Sequence, residues 1–259
     1  MIFAMDVGNT QTTMALYRKA ELLHCWRIAT ARHRTHDEWG ALLHLLFNVH
    51  DLKMFDVSGV IISSVVPPAD APLREMCRQY FKREPLFVAP GIKTGVPVLY
   101  DNPAEVGADR VVNAVAVLAH HPLPAIIVDF GTATTFDVLD GKGNYLGGAI
   151  APGLGISAEA LFEKTAKLPK VEISRPGRVV GKTTVQSIQA GLYWGYVGLV
   201  EGILKRMKKE LGPVKTVVAT GGLAPIITPD CPSVQVVDEY LTLEGLRLIY
   251  EKNLDPKQK

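Results

Sequence analysis

A short stretch occurs twice in this chain and limits what it can fold into. Asp6-Val7-Gly8-Asn9-Thr10-Gln11-Thr12-Thr13 lies near the N-terminus, and Asp129-Phe130-Gly131-Thr132-Ala133-Thr134-Thr135 lies in the middle. Both open on D-x-G and close on a threonine pair, and as ungapped copies they predict the same turn twice. Each follows an apolar run (1–5 and 125–128) and leads into another (14–17 and 136–139). The pattern is strand, tight turn and returning strand, with an aspartate at the end of the first strand.

Such a turn has a specific chemistry. Glycine lets backbone approach an anion closely, and successive N–H groups with Thr or Asn side chains can grip phosphate oxygens. An aspartate beside a phosphate is repelled unless a cation lies between them, so a metal is implied. Two copies facing each other across a cleft would clamp one polyphosphate. A single D-x-G is also an ordinary hairpin turn; its recurrence in matching strand contexts favours the phosphate reading.

At 259 residues the chain fits one large or two modest domains. Hydrophobic residues at 47 % and charged ones at 21 % leave enough apolar side chain for a sizeable core. A net charge of +2 argues against a nucleic-acid or membrane surface. Cys25, Cys77 and Cys231 are odd in number and without C-x-x-C spacing, so they read as reduced thiols of a cytoplasmic protein. The opening residues reach a carboxylate at Asp6 with no basic lead, so no signal peptide is expected. No apolar run is long enough to span a membrane.

Strands are predicted at 2–7, 12–17 and 22–28. Thr35-His36-Asp37-Glu38 is a capping box opening a helix with Trp39, Leu42, Leu43 and Leu46 on its apolar face. A buried strand spans 57–66. Helical spacing runs from Pro72 through Leu73, Met76, Cys77, Tyr80 and Phe81, and a strand follows at 86–88. After a Gly/Pro-rich passage, Gly107-Ala108-Asp109-Arg110 opens a helix carrying Val111, Val112, Val115 and Leu118 inward. Asp109 there is either a cap or a group presented at a helix N-terminus. The adjacent Arg110 is disfavoured at that end and is not explained by capping.

His120-His121-Pro122-Leu123-Pro124 marks the expected boundary between domains 1–119 and 120–259. The second half repeats the first: strand, turn, strand, then a strand at 145–150. Gly147-Gly148-Ala149-Ile150-Ala151-Pro152-Gly153 follows and enters a helix near Ser157. Gly181-Lys182-Thr183-Thr184 fails the P-loop spacing, because Pro176 stands where glycine is needed. A helix over about 183–211 is predicted to turn Val185, Ile188, Leu192, Leu199, Ile203 and Met207 inward. Gly191, Gly195, Gly198 and Gly202 share a stripe on it, each costing roughly 1 kcal/mol relative to alanine. The stripe predicts a close neighbour, either internal or in a second subunit. A strand at 216–220 runs into Gly221-Gly222, and the chain ends in a helix over about 243–252 and a frayed tail at 255–259. The expected fold class is α/β, and two similar domains around a central cleft resemble the duplicated actin-like (ribonuclease H-like) ATPase fold.

Taken in order, these motifs resemble the type III pantothenate kinases of the acetate and sugar kinase/Hsp70/actin-like superfamily. The carriers are the Asp6 to Thr10 turn, Tyr100 ahead of Gly107 to Arg110, and Asp129 to Thr134. Gly147 to Gly153, Thr184 with Gln189-Ala190-Gly191, and Thr220-Gly221-Gly222 complete the set. The resemblance implies a homodimer that phosphorylates pantothenate with ATP, the first step of coenzyme A synthesis. It makes Asp6, Val7, Gly8, Asn9, Thr10, Gln11, Thr12 and Thr13 the ATP loop, with Thr132 a further contact. It gives Asp129 the required K⁺ or NH₄⁺ and Asp6 a link to Mg²⁺ through phosphate. Tyr100, Gly107, Ala108, Asp109, Arg110 and Thr184 would line the pantothenate pocket, with Asp109 the proton acceptor. Thr183 stands where the family's Asn is expected. The rival readings are another small-molecule kinase of this fold, a conformational ATPase, and a silent regulatory relative. The first should lack the G-A-D-R helix start, the second needs extra subdomains, and the third should have lost Asp6, Asp109 or Asp129.

Overall fold

The computed structural model describes residues 1–254, so the expected tail at 255–259 lies outside the described residues. The chain forms two compact units. The first takes Met1–Gly95, Asn102–Ala116 and the chain from Thr242 onward; the second takes Val96–Asp101 and Val117–Leu241. The expected boundary after residue 119 falls inside the helix Ala108–His120, and the halves interleave: the C-terminal helix (Leu241–Asn253) groups with the first unit from Thr242.

In the first unit, β1 (Ile2–Val7), β2 (Gln11–Arg18) and β3 (Glu21–Ala29) form the antiparallel meander expected from their alternation. The capping box opens α1 (His36–Asn48). Thr35 Oγ1 accepts from the Glu38 amide at 3.3 Å, and Glu38 Oε2 accepts from the Thr35 amide at 2.7 Å. Next, β4 (Gly59–Ser64) pairs parallel with β1. The next helix, α2 (Pro67–Met76), begins ahead of the expected Pro72, because Pro67 and Pro68 occupy its first turn, where a missing N–H loses no bond. Short β5 (Leu86–Phe87) pairs with β4, and α3 (Ala108–His120) follows. The sheet order is β3-β2-β1-β4-β5. One face presents Phe3, Met5 and Val7 with Met14, Leu16, Val60 and Ile62, and it packs on Trp39, Leu43 and Phe47 of α1 and Leu73 and Met76 of α2.

The second unit repeats this order. β6 (Ala125–Phe130), β7 (Ala133–Leu139) and β8 (Tyr145–Pro152) make the meander, then come α4 (Leu154–Glu163) and α5 (Thr184–Leu211). β9 (Thr216–Thr220) pairs parallel with β6, short α6 (Ala224–Ile227) follows, and β10 (Val236–Val237) pairs with β9. The sheet order β10-β9-β6-β7-β8 matches the first sheet strand for strand. The glycine-rich segment expected after the third strand is that strand itself, which continues to Pro152 before α4 starts at Leu154.

The inward face of α5 differs from expectation. Its buried residues are Ala190, Tyr193, Tyr196, Val197, Val200 and Leu204, whereas Val185 is exposed and Ile188, Leu192, Leu199, Ile203 and Met207 are half-buried. The two tyrosines explain the error, because their rings are core while their hydroxyls find partners. Tyr193 donates to Ile226 O at 3.0 Å and Asp230 Oδ2 at 2.7 Å, and the Tyr196 hydroxyl bonds Thr134 Oγ1. Gly191, Gly195 and Gly198 are exposed, and a side chain added at any of them meets open space within the chain.

Residues 164–183, between α4 and α5, form a strap without helix or strand. Arg175 grips Asp230 through Nε at 2.6 Å and Nη2 at 2.9 Å, and its guanidinium lies 5.6 Å from the Trp194 ring centre. Gln189 Nε2 donates to Glu172 O at 3.1 Å. The Arg175 bonds, with Tyr193 second, hold the Asp230 carboxyl at about 2. The clip therefore contributes fully above the ordinary aspartate range and is lost only as pH falls toward that value. Burial pushes the Cys77 and Cys231 thiols up to about 12, so neither is a nucleophile at neutral pH.

Two glycines give the fold a sharp test. A Cβ at Gly148 in β8 would lie 1.6 Å from Phe136 O, a backbone atom that cannot yield, whereas one at Gly155 in α4 meets nothing within 4 Å. Gly148→Ala is expected to lower the thermal midpoint severely or prevent folding. Gly155→Ala should be neutral or raise stability by roughly 0.5–1 kcal/mol. Thermal denaturation followed by circular dichroism checks both.

Candidate active site

In the first unit Asp6 occupies the last turn-facing position of central strand β1. Its register partners are Thr13 across the antiparallel pair and Ser63 across the parallel one. By strand alternation all three lie on the sheet face opposite Phe3, Met5 and Val7. Ser63 is buried and its Oγ has no hydrogen-bond partner. The turn closes through the Gly8 amide, which donates to Gln11 O at 3.0 Å, and a Cβ at Gly8 would come within 2.9 Å of that oxygen. Asn9, Thr10 and Gln11 are exposed at the tip, Val7 and Thr12 are buried, and Thr13 is half-buried.

The other expected residues of this unit gather at the start of α3. Gly107 O accepts from the Arg110 amide at 3.1 Å and the Val111 amide at 3.3 Å, so Gly107 rather than Asp109 stands at the cap position. Asp109 Oδ1 accepts from the Arg110 amide at 2.9 Å. A Cβ at Gly107 would lie 2.5 Å from Asp109 Oδ1, so the glycine makes room for the carboxylate. Ala108 is half-buried, and Arg110 is 7 % exposed, so it is packed within the protein rather than solvated.

The second unit repeats the carboxylate and its surroundings. Asp129 is the last residue but one of β6, with Thr135 and Thr220 as its register partners, on the face opposite Ile126, Val128 and Phe130. Gly221 follows β9 with φ of +92°, and a Cβ there would meet Asp129 Oδ1 at 2.6 Å and Phe130 backbone at 2.7 Å. Only glycine combines that conformation with that approach. The two turns are not ungapped copies, however. Asp6 pairs with Thr13 but Asp129 pairs with Thr135, so the second turn is one residue shorter, and the Gly131 amide closes it on Ala133 O at 3.1 Å. Thr132 is exposed at its tip.

Tyr100 is carried to this unit's sheet by a segment that sequence reasoning did not single out. Tyr145 donates its amide to Pro97 O and accepts from the Leu99 amide, each at 2.8 Å. The Tyr100 ring then lies over Gly147, 3.0 Å from where a Cβ would stand. Tyr145 is buried, and its hydroxyl donates to Asp137 Oδ1 at 2.7 Å, while Thr135 Oγ1 donates to Asp137 Oδ2 at 2.9 Å. The available signal was Asp137 itself, a carboxylate inside an apolar strand, which needs partners wherever it is buried. Thr184 is exposed as the first residue of α5, and Thr183 caps that helix by accepting from the Gln186 amide at 3.2 Å. Threonine thus does there what the expected Asn would do, and the Gly181-Lys182-Thr183-Thr184 run is a helix start rather than a phosphate loop.

The donor chemistry suits hard cations. Asp6 with the Thr13 and Ser63 hydroxyls, and Asp129 with the Thr135 and Thr220 hydroxyls, are oxygen sets. Each has one carboxylate, as expected of a hydrated Mg²⁺ or an alkali ion that shares its ligands with phosphate. Among the described residues no three His, Cys, Asp or Glu side chains gather as they would around zinc. No helix among them is long and apolar enough to cross a membrane.

Two units with one strand order, each with a D-x-G turn on its central strand, define a duplicated actin-like α/β fold. In solved structures the same fold occurs in a ROK family glucokinase from Streptomyces griseus, with a TM-score of 0.56 over 97 % of this chain and 98 % of that one, at 11 % identity. The type III pantothenate kinase family profile matches residues 2–206. A type III pantothenate kinase of Koribacter versatilis is 52 % identical, covering 98 % of this chain and 96 % of its own length. One of Anaeromyxobacter dehalogenans is 56 % identical, covering 98 % and 100 %. The chain belongs to the type III pantothenate kinase family.

Proposed function

We propose that this chain transfers the γ-phosphoryl group of ATP to the hydroxyl of pantothenate, giving 4′-phosphopantothenate for coenzyme A biosynthesis. The observation that carries this reading is identity above half to type III pantothenate kinases over nearly the whole chain. The turn 6–13 holds the ATP phosphates through its glycine, amides and hydroxyls, and Thr132 adds a further contact. Tyr100, Gly107, Ala108, Arg110 and Thr184 line the pantothenate pocket. Asp6, through phosphate, would hold Mg²⁺ and Asp129 a monovalent cation (K⁺ or NH₄⁺), and each would supply charge neutralisation for the phosphoryl group.

Phosphoryl transfer passes through a loose transition state, so the protein's task is positioning and electrostatics. Asp109 need not be a strong base. By accepting a hydrogen bond from the substrate hydroxyl it aims the nucleophile, and it takes the proton late in the step. Buried Arg110 offers a planar donor fork for the carboxylate or amide of pantothenate. The protein works in the cytoplasm as a homodimer, with the exposed glycine stripe of α5 as the contact between copies.

Three measurements test these roles. In an ADP-release assay with pantothenate, Asp109→Asn should lose roughly 10²–10⁴ in kcat while still folding and binding ATP. Asparagine can still accept the Arg110 amide, so a rate within a few-fold of wild type would remove Asp109 from the chemistry. Asp129→Asn should lose activation by K⁺ or NH₄⁺ while pantothenate still binds, and unchanged activation would sink that assignment. Gly195→Leu meets open space within the chain, so it should fold and shift the protein toward monomer in light scattering. A folded, dimeric variant would mean that the stripe faces elsewhere.

A further inference from the structure

The two D-x-G turns are braced by the residue that follows the third strand of each meander, and the braces differ. In the second unit that residue is Gly153, whose amide donates to Thr132 O at 3.1 Å. In the first unit it is Thr30, whose amide donates to Thr10 O at 3.0 Å. The backbone bond is the same in both. A Cβ at Gly153 would lie 2.2 Å from Thr132 O and 2.6 Å from Gly131 O, so the shorter turn excludes any side chain there. The longer first turn admits one. Thr30 Oγ1 donates to Gly8 O at 2.7 Å and shares a 2.9 Å hydrogen bond with Thr12 Oγ1, itself fully buried.

We infer that Thr30 is a positioning residue for nucleotide binding: it fixes the peptide planes of the first turn so that their amides face the phosphates. In a planar trans peptide the C=O of one residue and the N–H of the next point in opposite directions. Holding Gly8 O and Thr10 O toward Thr30 therefore aims the Asn9 and Gln11 amides away from it, and both residues are exposed. The buried Thr12 hydroxyl anchors the Thr30 side chain to β2, so the brace is fixed to the sheet rather than to the exposed tip. Glycine at position 8 leaves the turn free to rotate its planes; Thr30 removes that freedom. Nothing in the sequence around Thr30 marks it, since it lies outside both turns and follows a strand.

The inference rests on residues 6–13 being the phosphate turn, and the test separates the two. Binding of Mg·AMPPNP, a non-hydrolysable ATP analogue, is measured by calorimetry on wild-type protein, Thr30→Val and Thr30→Ser. KM for ATP and for pantothenate is measured alongside. Valine keeps the shape and removes the hydroxyl; serine keeps the hydroxyl. Thr30→Val should weaken nucleotide binding about three- to tenfold, the effect of one or two lost hydrogen bonds. Its KM for ATP should rise with that for pantothenate unchanged, and Thr30→Ser should restore both within about twofold. Thermal midpoints check that both variants fold. Equal binding by wild type and a folded Thr30→Val overturns the inference and leaves the phosphate turn standing. Equal losses in valine and serine variants, or a parallel rise in both KM values, also overturn it, because they indicate a general packing defect. Failure of wild-type protein to bind the analogue overturns the phosphate turn and the inference with it.

Discussion

A carboxylate at the end of a buried central strand is the constraint on which each unit is built. Asp6 and Asp129 each follow four apolar residues that lie within a sheet. Each has a hydroxyl residue on both neighbouring strands, Thr13 and Ser63 for one and Thr135 and Thr220 for the other. Strand alternation sends the apolar side chains of β1 and β6 to opposite faces of the sheet, and the aspartate shares a face with those hydroxyls. Backing that arrangement requires a core on the other face. In the first unit α1 and α2 supply it, and in the second α4, α5 and α6 do. The meander order also follows, because a tight turn after the aspartate makes the next strand antiparallel and adjacent.

Glycines leave the space beside two of the carboxylates. Gly221 lies against Asp129, and Gly107 lies against Asp109. In each case the nearest heavy atom to an added Cβ would be a carboxylate oxygen. Such positions keep the acid in place and leave backbone amides close to it. This is the geometry expected of sites that hold anions and their counter-ions.

Much of this was legible in the sequence because local rules agreed with the fold. The meanders, the Thr35 capping box, both D-x-G turns and the α3 start could be read from alternation and turn chemistry. What escaped depended on the partner of a side chain. The inward face of α5 was misassigned because Tyr193 and Tyr196 look polar, yet Asp230 and Thr134 satisfy their hydroxyls inside the core. The one-residue difference between the turns was there to be counted, eight residues in one stretch and seven in the other, and the pairing shows its effect, because it sets which threonine faces which aspartate. Thr30 carried no motif, since it acts through Thr12 and Gly8, 18 and 22 residues away, and Asp137 offered only its own charge within an apolar strand, with Tyr145 and Thr135 as unannounced partners. The interleaving of the units was equally hidden, because periodicity says nothing about which sheet a terminal helix joins.

The strap at 164–183 has a consequence for local unfolding. A span of that length has little intrinsic reason to stay ordered, and closing it costs an entropy that grows only slowly with its length. Its order depends on where it is pinned. Asp230 receives Arg175 from the strap and Tyr193 from α5, so one carboxylate joins the strap to the helix. Gln189 of the same helix holds Glu172 O three residues before Arg175, so the attachments are close enough to open together. Amide hydrogen exchange along the strap should therefore occur as one cooperative event with a single opening free energy, distinct from that of the sheet beneath it.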